Sequence, residues 1–282
     1  MVKKKLLLFG VLAFGPIAGA SNQTFIFSGT QGPVSTTITN PYNGTIAVLS
    51  GTYNVNQAVY TGTGTGNTLL LTNATDLITL DSALTGHTPN VQTVVDIQSI
   101  FTGNGDDFVD LASANFILPA GLTIFGGSGT ETIWTNSAAT TVNAGSGNTT
   151  ILAGAGNDIL NGGTGADNIT GGAGTDTVIS GGGDDFIVGG PGDLVNGGTG
   201  TDTLVLELTA AQRQADSTDI AAAQSFITAN FNTASSTGPQ YTFTSPDLSG
   251  LTFSNVESLV VPEPSALSLL VCAAAALSRR RR

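Results

Sequence analysis

From Gly126 to Val205 the chain returns to an aliphatic residue every nine positions, with one interval of eight. Ile133, Val142, Ile151, Leu160, Ile169, Val178, Ile187, Val195 and Leu204 hold the eighth place of consecutive segments. These segments read GGSGTETIW, TNSAATTVN, AGSGNTTIL, AGAGNDILN, GGTGADNIT, GGAGTDTVI, SGGGDDFIV, the eight-residue GGPGDLVN, and GGTGTDTLV. Such a period predicts one short strand per repeat, separated by polar, glycine-rich turns. Because strand side chains alternate, only the eighth position is expected to point inward. Two repeats then form one flattened coil, and coils stack about 4.8 Å apart, the ordinary strand spacing.

Outside this array the patterns change. Residues 21–100 hold short runs rich in Val, Ile, Thr and Leu, among them Thr24–Phe27, Thr45–Leu49, Thr68–Thr72 and Asp76–Leu80, bounded by Gly, Asn and Pro; these read as strands. Gly62–Leu70 reads either as an eroded repeat, with Asn67 and Leu69 at the acid and aliphatic places, or as unrelated sequence. Thr102–Asp110, TGNGDDFVD, keeps the repeat's order but is out of phase with Gly126. After Val205 the spacing turns helical: Thr209 and Gln212 form a capping-box pair, and Ile220, Ala223 and Ile227 share one face, so one or two helices are expected between Thr209 and Phe231. The segments YTFTSP and LTFSNVESLVV alternate again and are expected to cover the open end of the array, whose last coil would otherwise expose its interior and an unpaired edge.

Both chain ends carry addresses. Residues 1–20 combine Lys3–Lys5, an apolar run from Leu6 and the small residues Ala18-Gly19-Ala20, the pattern of a secretory signal peptide. Residues 262–282 place Pro262-Glu263-Pro264, an apolar run Ala266–Leu277 and Arg279–Arg282 in that order. This tail resembles the PEP-CTERM sorting signal, which implies recognition by a membrane exosortase and transient anchoring; the alternative is an ordinary C-terminal membrane anchor. The expected organisation is a signal peptide (1–20), an N-terminal β-rich region (21–100), a roll (101–205), a helix and strand cap (206–261) and the sorting tail (262–282).

Charge narrows the partners. Of the eight bases, seven lie in Lys3–Lys5 and Arg279–Arg282, so a processed body would keep Arg213 alone against nearly all of the 20 acids. Such a polyanion lacks the clustered Lys and Arg that phosphate contacts demand, which argues against nucleic acid and for small cations. The single cysteine, Cys272, falls in the tail, leaving an exported body without disulfides and pointing to metal as its staple.

The candidate metal chemistry follows from the sixth position of the repeat. Stacked coils bring every second acid into line, giving one column of Glu131, Thr149, Asp167, Asp185 and Asp202 and another of Thr140, Asp158, Asp176 and Asp193, the last in a register left open by the short repeat. Carboxylates roughly 5 Å apart repel by a few kcal/mol at an effective dielectric near 20. A hard divalent ion reverses that sign, and carboxylates with turn carbonyls supply the oxygens Ca²⁺ prefers. The turn glycines, Gly163, Gly165, Gly172, Gly174, Gly181 and Gly183 among them, permit backbone angles that aim carbonyls inward.

The pattern G-G-x-G-x-D-x-U-x over about 80 residues resembles the RTX, or haemolysin-type, calcium-binding repeat. That resemblance implies an all-β parallel β-roll, here flanked by an N-terminal β region and a small α+β C-terminal cap. It also implies an ion between turns of successive coils, held by Asp167 with Asp185, Asp185 with Asp202, Asp158 with Asp176 and Asp176 with Asp193. Where Thr140 and Thr149 replace the acid, coils are expected to hold by packing alone, and the longer arm of Glu131 is expected to fit poorly. Asp107 is either a ligand or a solvated turn acid, and Asp184, at a fifth position, reads as a solvated charge.

Catalytic chemistry is sparse. His87 is the only histidine and sits in a polar stretch, ALTGHTPNV, with no G-x-S-x-G elbow or phosphate loop. The sequence therefore reads as a non-enzymatic, secreted or cell-surface calcium protein that folds on Ca²⁺ binding after export. Its expected place is a structural or adhesive component of an extracellular polysaccharide matrix or biofilm, with acidic exopolysaccharide or cell-surface glycans as partners. The alternative is a calcium-dependent β-helix enzyme acting on acidic polysaccharide, of lyase or epimerase type, for which Arg213 and His87 are the available groups. Trp134 and Phe186, on outward positions, could stack on sugars or simply be surface strand aromatics.

Overall fold

The computed structural model describes the strands at 23–27, 36–39, 44–48 and 58–61, then 68–71, 75–80, most of 92–118, and 120–230 and 237–263. Residues 1–20, Asn67, His87, Cys272 and the tail beyond Glu263 lie outside the described residues. The chain divides into two compact units, Met1–Ala138 and Ala139–Arg282.

In the first unit the strands Gln23–Phe27, Gly44–Val48, Thr68–Leu70, Ser99–Phe101 and Leu122–Phe125 lie side by side in chain order, all parallel. Leu77–Thr79, Phe108–Asp110 and Glu131–Trp134 form a second parallel series, and Thr36–Thr39, Ala58–Thr61 and Val94–Val95 a third. Gln23 stands opposite Gly44, Thr45 opposite Thr68, Thr68 opposite Ser99 and Ser99 opposite Thr123, so every coil here is longer than two nonapeptides and no two successive coils share a length. The region ahead of the repeats is thus wound in the same parallel manner but with longer, unequal coils, which is why it shows no period of nine. Leu69 is fully buried and stands in register with Ile46 and Ile100.

The second unit alternates between two sheets. One contains Thr140–Asn143, Ile159–Thr164, Thr177–Gly182, Leu194–Thr199 and Thr252–Ser254, all parallel, with Gln240–Thr242 antiparallel at the end. The other contains Thr149–Leu152, Asn168–Thr170, Phe186–Gly189, Thr203–Leu206 and Ser258–Val260. Leu160 stands opposite Val178, its equivalent two repeats on, so two nonapeptides make one coil. Val178 stands opposite Val195 and Phe186 opposite Thr203, each pair spanning the short repeat and so one position closer in sequence. The residue missing from GGPGDLVN is therefore lost from the turn around Pro191 and Gly192, while the strands stay in step. This is a parallel β-roll, and all nine eighth-position aliphatics are buried.

The inward row is wider than alternation around a single position suggests. Asp158, Leu160 and Gly162 are all buried along one strand, and Asp176, Val178 and Ser180 along the next. The sixth and first positions of the repeat share the interior with the eighth. Only the eighth must be aliphatic, because at the others the backbone turn comes close enough to pair with a polar group.

The far end is closed as the alternating segments imply. Thr252–Ser254 adds to one sheet and Ser258–Val260 to the other. The capping box of Thr209 and Gln212 starts α1 (Ala210–Ala215), followed by α2 (Ser217–Asn230), which buries Ile220, Ala223 and Ile227. Phe226, Tyr241, Phe243 and Phe253 cluster with ring centroids 5.2–6.0 Å apart, and Phe253 sits in register with Val195, plugging the end of the aliphatic column. The Asp219 carboxylate pins this cap, accepting from the Tyr241 hydroxyl and from the amides of Thr244 and Ser245 at 2.7 and 2.8 Å.

Candidate metal centre

Each sixth-position acid lies directly before a strand, so stacking the strands stacks the acids. Asp158, Asp176 and Asp193 line up along one edge of the roll, and Asp167, Asp185 and Asp202 along the other. The short repeat leaves Asp193 in its column, since the Asp176 amide donates to Asp193 Oδ1 at 2.8 Å. The same bond recurs throughout: the amide of Asp158 donates to Asp176 Oδ1, that of Asp167 to Asp185 Oδ1, and that of Asp185 to Asp202 Oδ1, at 2.8–3.0 Å. Half of every carboxylate is thereby used to tie one coil to the next.

The other half is not. Asp158, Asp167, Asp176, Asp185 and Asp202 are 2% exposed or less, and the Oδ2 atoms of Asp158, Asp176, Asp185 and Asp202 are buried with no hydrogen-bond partner in the structure. A buried carboxylate oxygen without a donor is costly, about 1–3 kcal/mol for a neutral group and more for a charged one. Burial accordingly pushes Asp158 and Asp193 up to about 6 and Asp202 to about 7, the last raised further by Asp185 and Glu257, and it raises Asp176 and Asp185 as well. Asp193 differs in one respect, because its Oδ2 accepts from the Gly190 amide at 2.7 Å.

The glycines around these oxygens do two jobs. Gly163, Gly165, Gly172, Gly174, Gly181 and Gly183 all have φ between +93° and +144°, and a Cβ on any of them would run into a backbone carbonyl one coil earlier. They are what lets turns stack at strand spacing. The first-position glycines, which the repeat pattern did not single out as site residues, guard the acids instead. A Cβ on Gly171 would stand 2.7 Å from Asp176 Oδ2, and one on Gly162 would collide with Asp167 Oδ2 while standing 2.5 Å from the Ser180 carbonyl. The space beside these oxygens is bounded by backbone, not by bulky side chains.

Three expectations from the sequence change. Thr140 and Thr149 do not leave their coils to packing alone, because their amides donate to Asp158 Oδ1 and Asp167 Oδ1 at 2.7 Å. Glu131 is accommodated, fully buried and curled toward its own Gly127 amide at 3.4 Å. Asp107 is no solvated turn acid: it is buried, its Oδ1 accepts from the Asp76 amide at 2.8 Å, its Oδ2 has no partner, and burial raises it to about 6. Asp184 is exposed, as a solvated charge should be, and it also accepts from the Thr201 amide at 2.9 Å, as Asn148 serves Ala166 and Asn157 serves Thr175; within the first unit Asp106 serves Thr130 in the same way.

These features fit a hard cation. Among the described residues no group of three or more His, Cys, Asp or Glu converges on one point, so an ion here takes its remaining oxygens from turn carbonyls, as calcium readily does. When bound, the ion supplies the positive charge that the half-satisfied carboxylates lack. A parallel β-roll with two columns of such oxygens defines a calcium-binding β-roll protein. Residues 134–169, 143–178, 161–193 and 170–204 match the family model for the RTX calcium-binding nonapeptide repeat, in four overlapping copies. No curated protein and no solved structure matches the chain.

The raised carboxyls fix the pH response. A carboxyl whose pKa is higher in the fold than in the unfolded chain keeps its proton longer when folded, so metal-free stability falls as pH rises from about 4 through 6–7. The chelated protein is therefore expected to show more β signal by circular dichroism at pH 5 than at pH 7.5. Protons compete for the same oxygens, so calcium affinity should move the other way and drop at least tenfold between pH 7.5 and 5 in a calorimetric titration.

Proposed function

We propose that the protein is exported, folds on calcium outside the cell, and serves as a structural or adhesive component of an extracellular polysaccharide matrix. The observation that carries this reading is the pair of columns of buried, half-satisfied carboxylates in a body that keeps almost no positive charge. On this proposal the ligands are Asp158, Asp167, Asp176, Asp185, Asp193 and Asp202, set by Gly163, Gly165, Gly172, Gly174, Gly181 and Gly183. Asp193 contributes least, since both its oxygens already have donors. Sites of two carboxylates on glycine turns belong to the weak extracellular class, roughly 10⁻⁴ to 10⁻³ M, so the chain stays unfolded in a calcium-poor cytoplasm and folds after export.

The ends follow the same logic. Residues 1–20 direct export, 21–100 precede the roll at 101–205, 206–261 cap it, and 262–282 form a PEP-CTERM tail that an exosortase processes after transient membrane anchoring. Among the described residues no helix is long and apolar enough to cross a membrane. The role on this reading is non-enzymatic: Arg213 is the only lysine or arginine among residues 21–261, its guanidinium is paired with Glu263 at 2.7 Å, and His87, the other group an enzyme could use, lies outside the described residues. Acidic glycans would be bridged through calcium. The test is retention of the protein on acidic exopolysaccharide with calcium and with chelator. Retention in calcium alone, without turnover of the glycan, is the expected result; equal retention in both, or depolymerisation of the glycan, would refute the proposal.

A further inference from the structure

The repeat pattern ends at Val205, and the matched copies end at residue 204. The carboxylate column does not end there. Glu257, in the cap, takes the place an aspartate would hold in a further repeat. The Asp202 amide donates to Glu257 Oε2 at 2.8 Å, as the Asp167 amide donates to Asp185 Oδ1 at 2.8 Å. The Ser258 amide returns a bond to the Asp202 carbonyl at 2.9 Å, as the Phe186 amide does to that of Asp167 at 2.8 Å, and Thr203 stands opposite Ser258 in parallel register.

The likeness extends to the space around the orphaned oxygen. Asp202 is fully buried, its Oδ1 is used by the Asp185 amide, and its Oδ2 has no partner. That atom faces the bare Cα of Gly197, where a Cβ would stand 2.7 Å from Asp202 Oδ2 and would collide with the Asn255 carbonyl. Two coils earlier Gly162 faces Asp167 Oδ2 and the Ser180 carbonyl in the same way. Asn255 reproduces a glycine turn without a glycine: at φ +50° it is the one non-glycine among the described residues with positive φ, and its side chain is held by donation to Asn196 Oδ1 at 2.8 Å. Asparagine is among the few residues besides glycine that take up this left-handed conformation readily.

We infer that the cap provides a further calcium site of its own, between Asp202 and Glu257, with the Asn255 carbonyl as a backbone donor. This deepens the proposed function, since it rests on reading the repeat acids as calcium ligands. Its consequence is that calcium fastens the cap to the last coil as well as coil to coil. Asp202, Glu257 and Asn255 present the hard oxygens calcium prefers, and none of the cap's residues belongs to a nonapeptide.

Glu257→Gln tests this in the full chain, because the amide oxygen can still accept from Asp202 while the charge is gone. Calorimetric titration with calcium should give one ion fewer per chain than the unsubstituted protein, with the β signal in calcium retained; an unchanged count would overturn the site. Should the variant not regain its β signal, terbium soaked into crystals of the unsubstituted protein gives the answer directly. An anomalous peak between Asp202 and Glu257 is expected, and peaks confined to the repeat columns would overturn it. Absence of peaks in the repeat columns as well would instead refute the underlying reading of the acids, and the cap site with it.

Discussion

Withdrawing calcium with a chelator at pH 7.5 is expected to abolish most of the β signal of the repeat region, not merely to loosen its turns. Ionising a buried carboxyl raised from near 4 to about 6 costs the fold about 3 kcal/mol, and Asp158 and Asp193 are both in that range, with Asp202 higher still. Asp176 and Asp185 add to the same sum. A domain's whole stability is about 5–15 kcal/mol, so several such penalties acting together are of the same size as all of it. The hydrogen bonds to Oδ1 keep that cost from being larger, which is why the columns can be built at all, but the Oδ2 atoms of Asp158, Asp176, Asp185 and Asp202 are left without a donor. Circular dichroism of the full chain with and without chelator checks this, and the loss should reverse on adding calcium.

The second large effect is steric. Gly174→Ala should cost about 3–5 kcal/mol and lower the Tm on the order of 10 °C. Its φ is +144°, and the new Cβ would be driven into the Gly156 carbonyl, inside a turn ladder where the Gly156 amide bonds the Ala173 carbonyl at 2.8 Å and the Ala173 amide bonds that of Gly154 at 2.9 Å. Gly121→Ala is the control that separates backbone strain from collision. Gly121 has φ +92° but open space where the methyl group would stand, so its loss should stay near about 1–2 kcal/mol. Thermal denaturation in saturating calcium measures both; equal losses would mean that stacking distance is not what the turn glycines protect.

Much of the roll could be read in advance because its determinants are local and repeated. The eighth-position aliphatics, the two acid columns and the Thr209–Gln212 cap each follow from spacing within a few residues, and each stands where spacing puts it. What escaped needed the coil lengths. Asp107 lacks a neighbour at a multiple of nine, yet Phe108 stands opposite both Leu77 and Thr132 across coils longer than two nonapeptides, which brings Asp76 and Glu131 into its line. Glu257 sits in ordinary alternating sequence, and only the strand register of the cap places it against Asp202. The inward turn of the acids was hidden for a different reason. Their burial depends on amide donors one full coil away, a tertiary pairing that hydrophobic pattern alone does not encode. The first-position glycines were likewise legible only as turn formers until Oδ2 was seen beside them.

The proposed function has calcium completing the half-satisfied carboxylates, and a calcium titration of the chelated protein, counting ions by calorimetry while following the β signal in parallel samples, tests this most directly. Several ions per chain are predicted, taken up in step with the gain of β structure, with a lower count and a weaker chelator response when Asp167, Asp176 and Asp185 are all changed to Asn. Uptake of no calcium, or a full β signal before the first ion binds, would contradict that role.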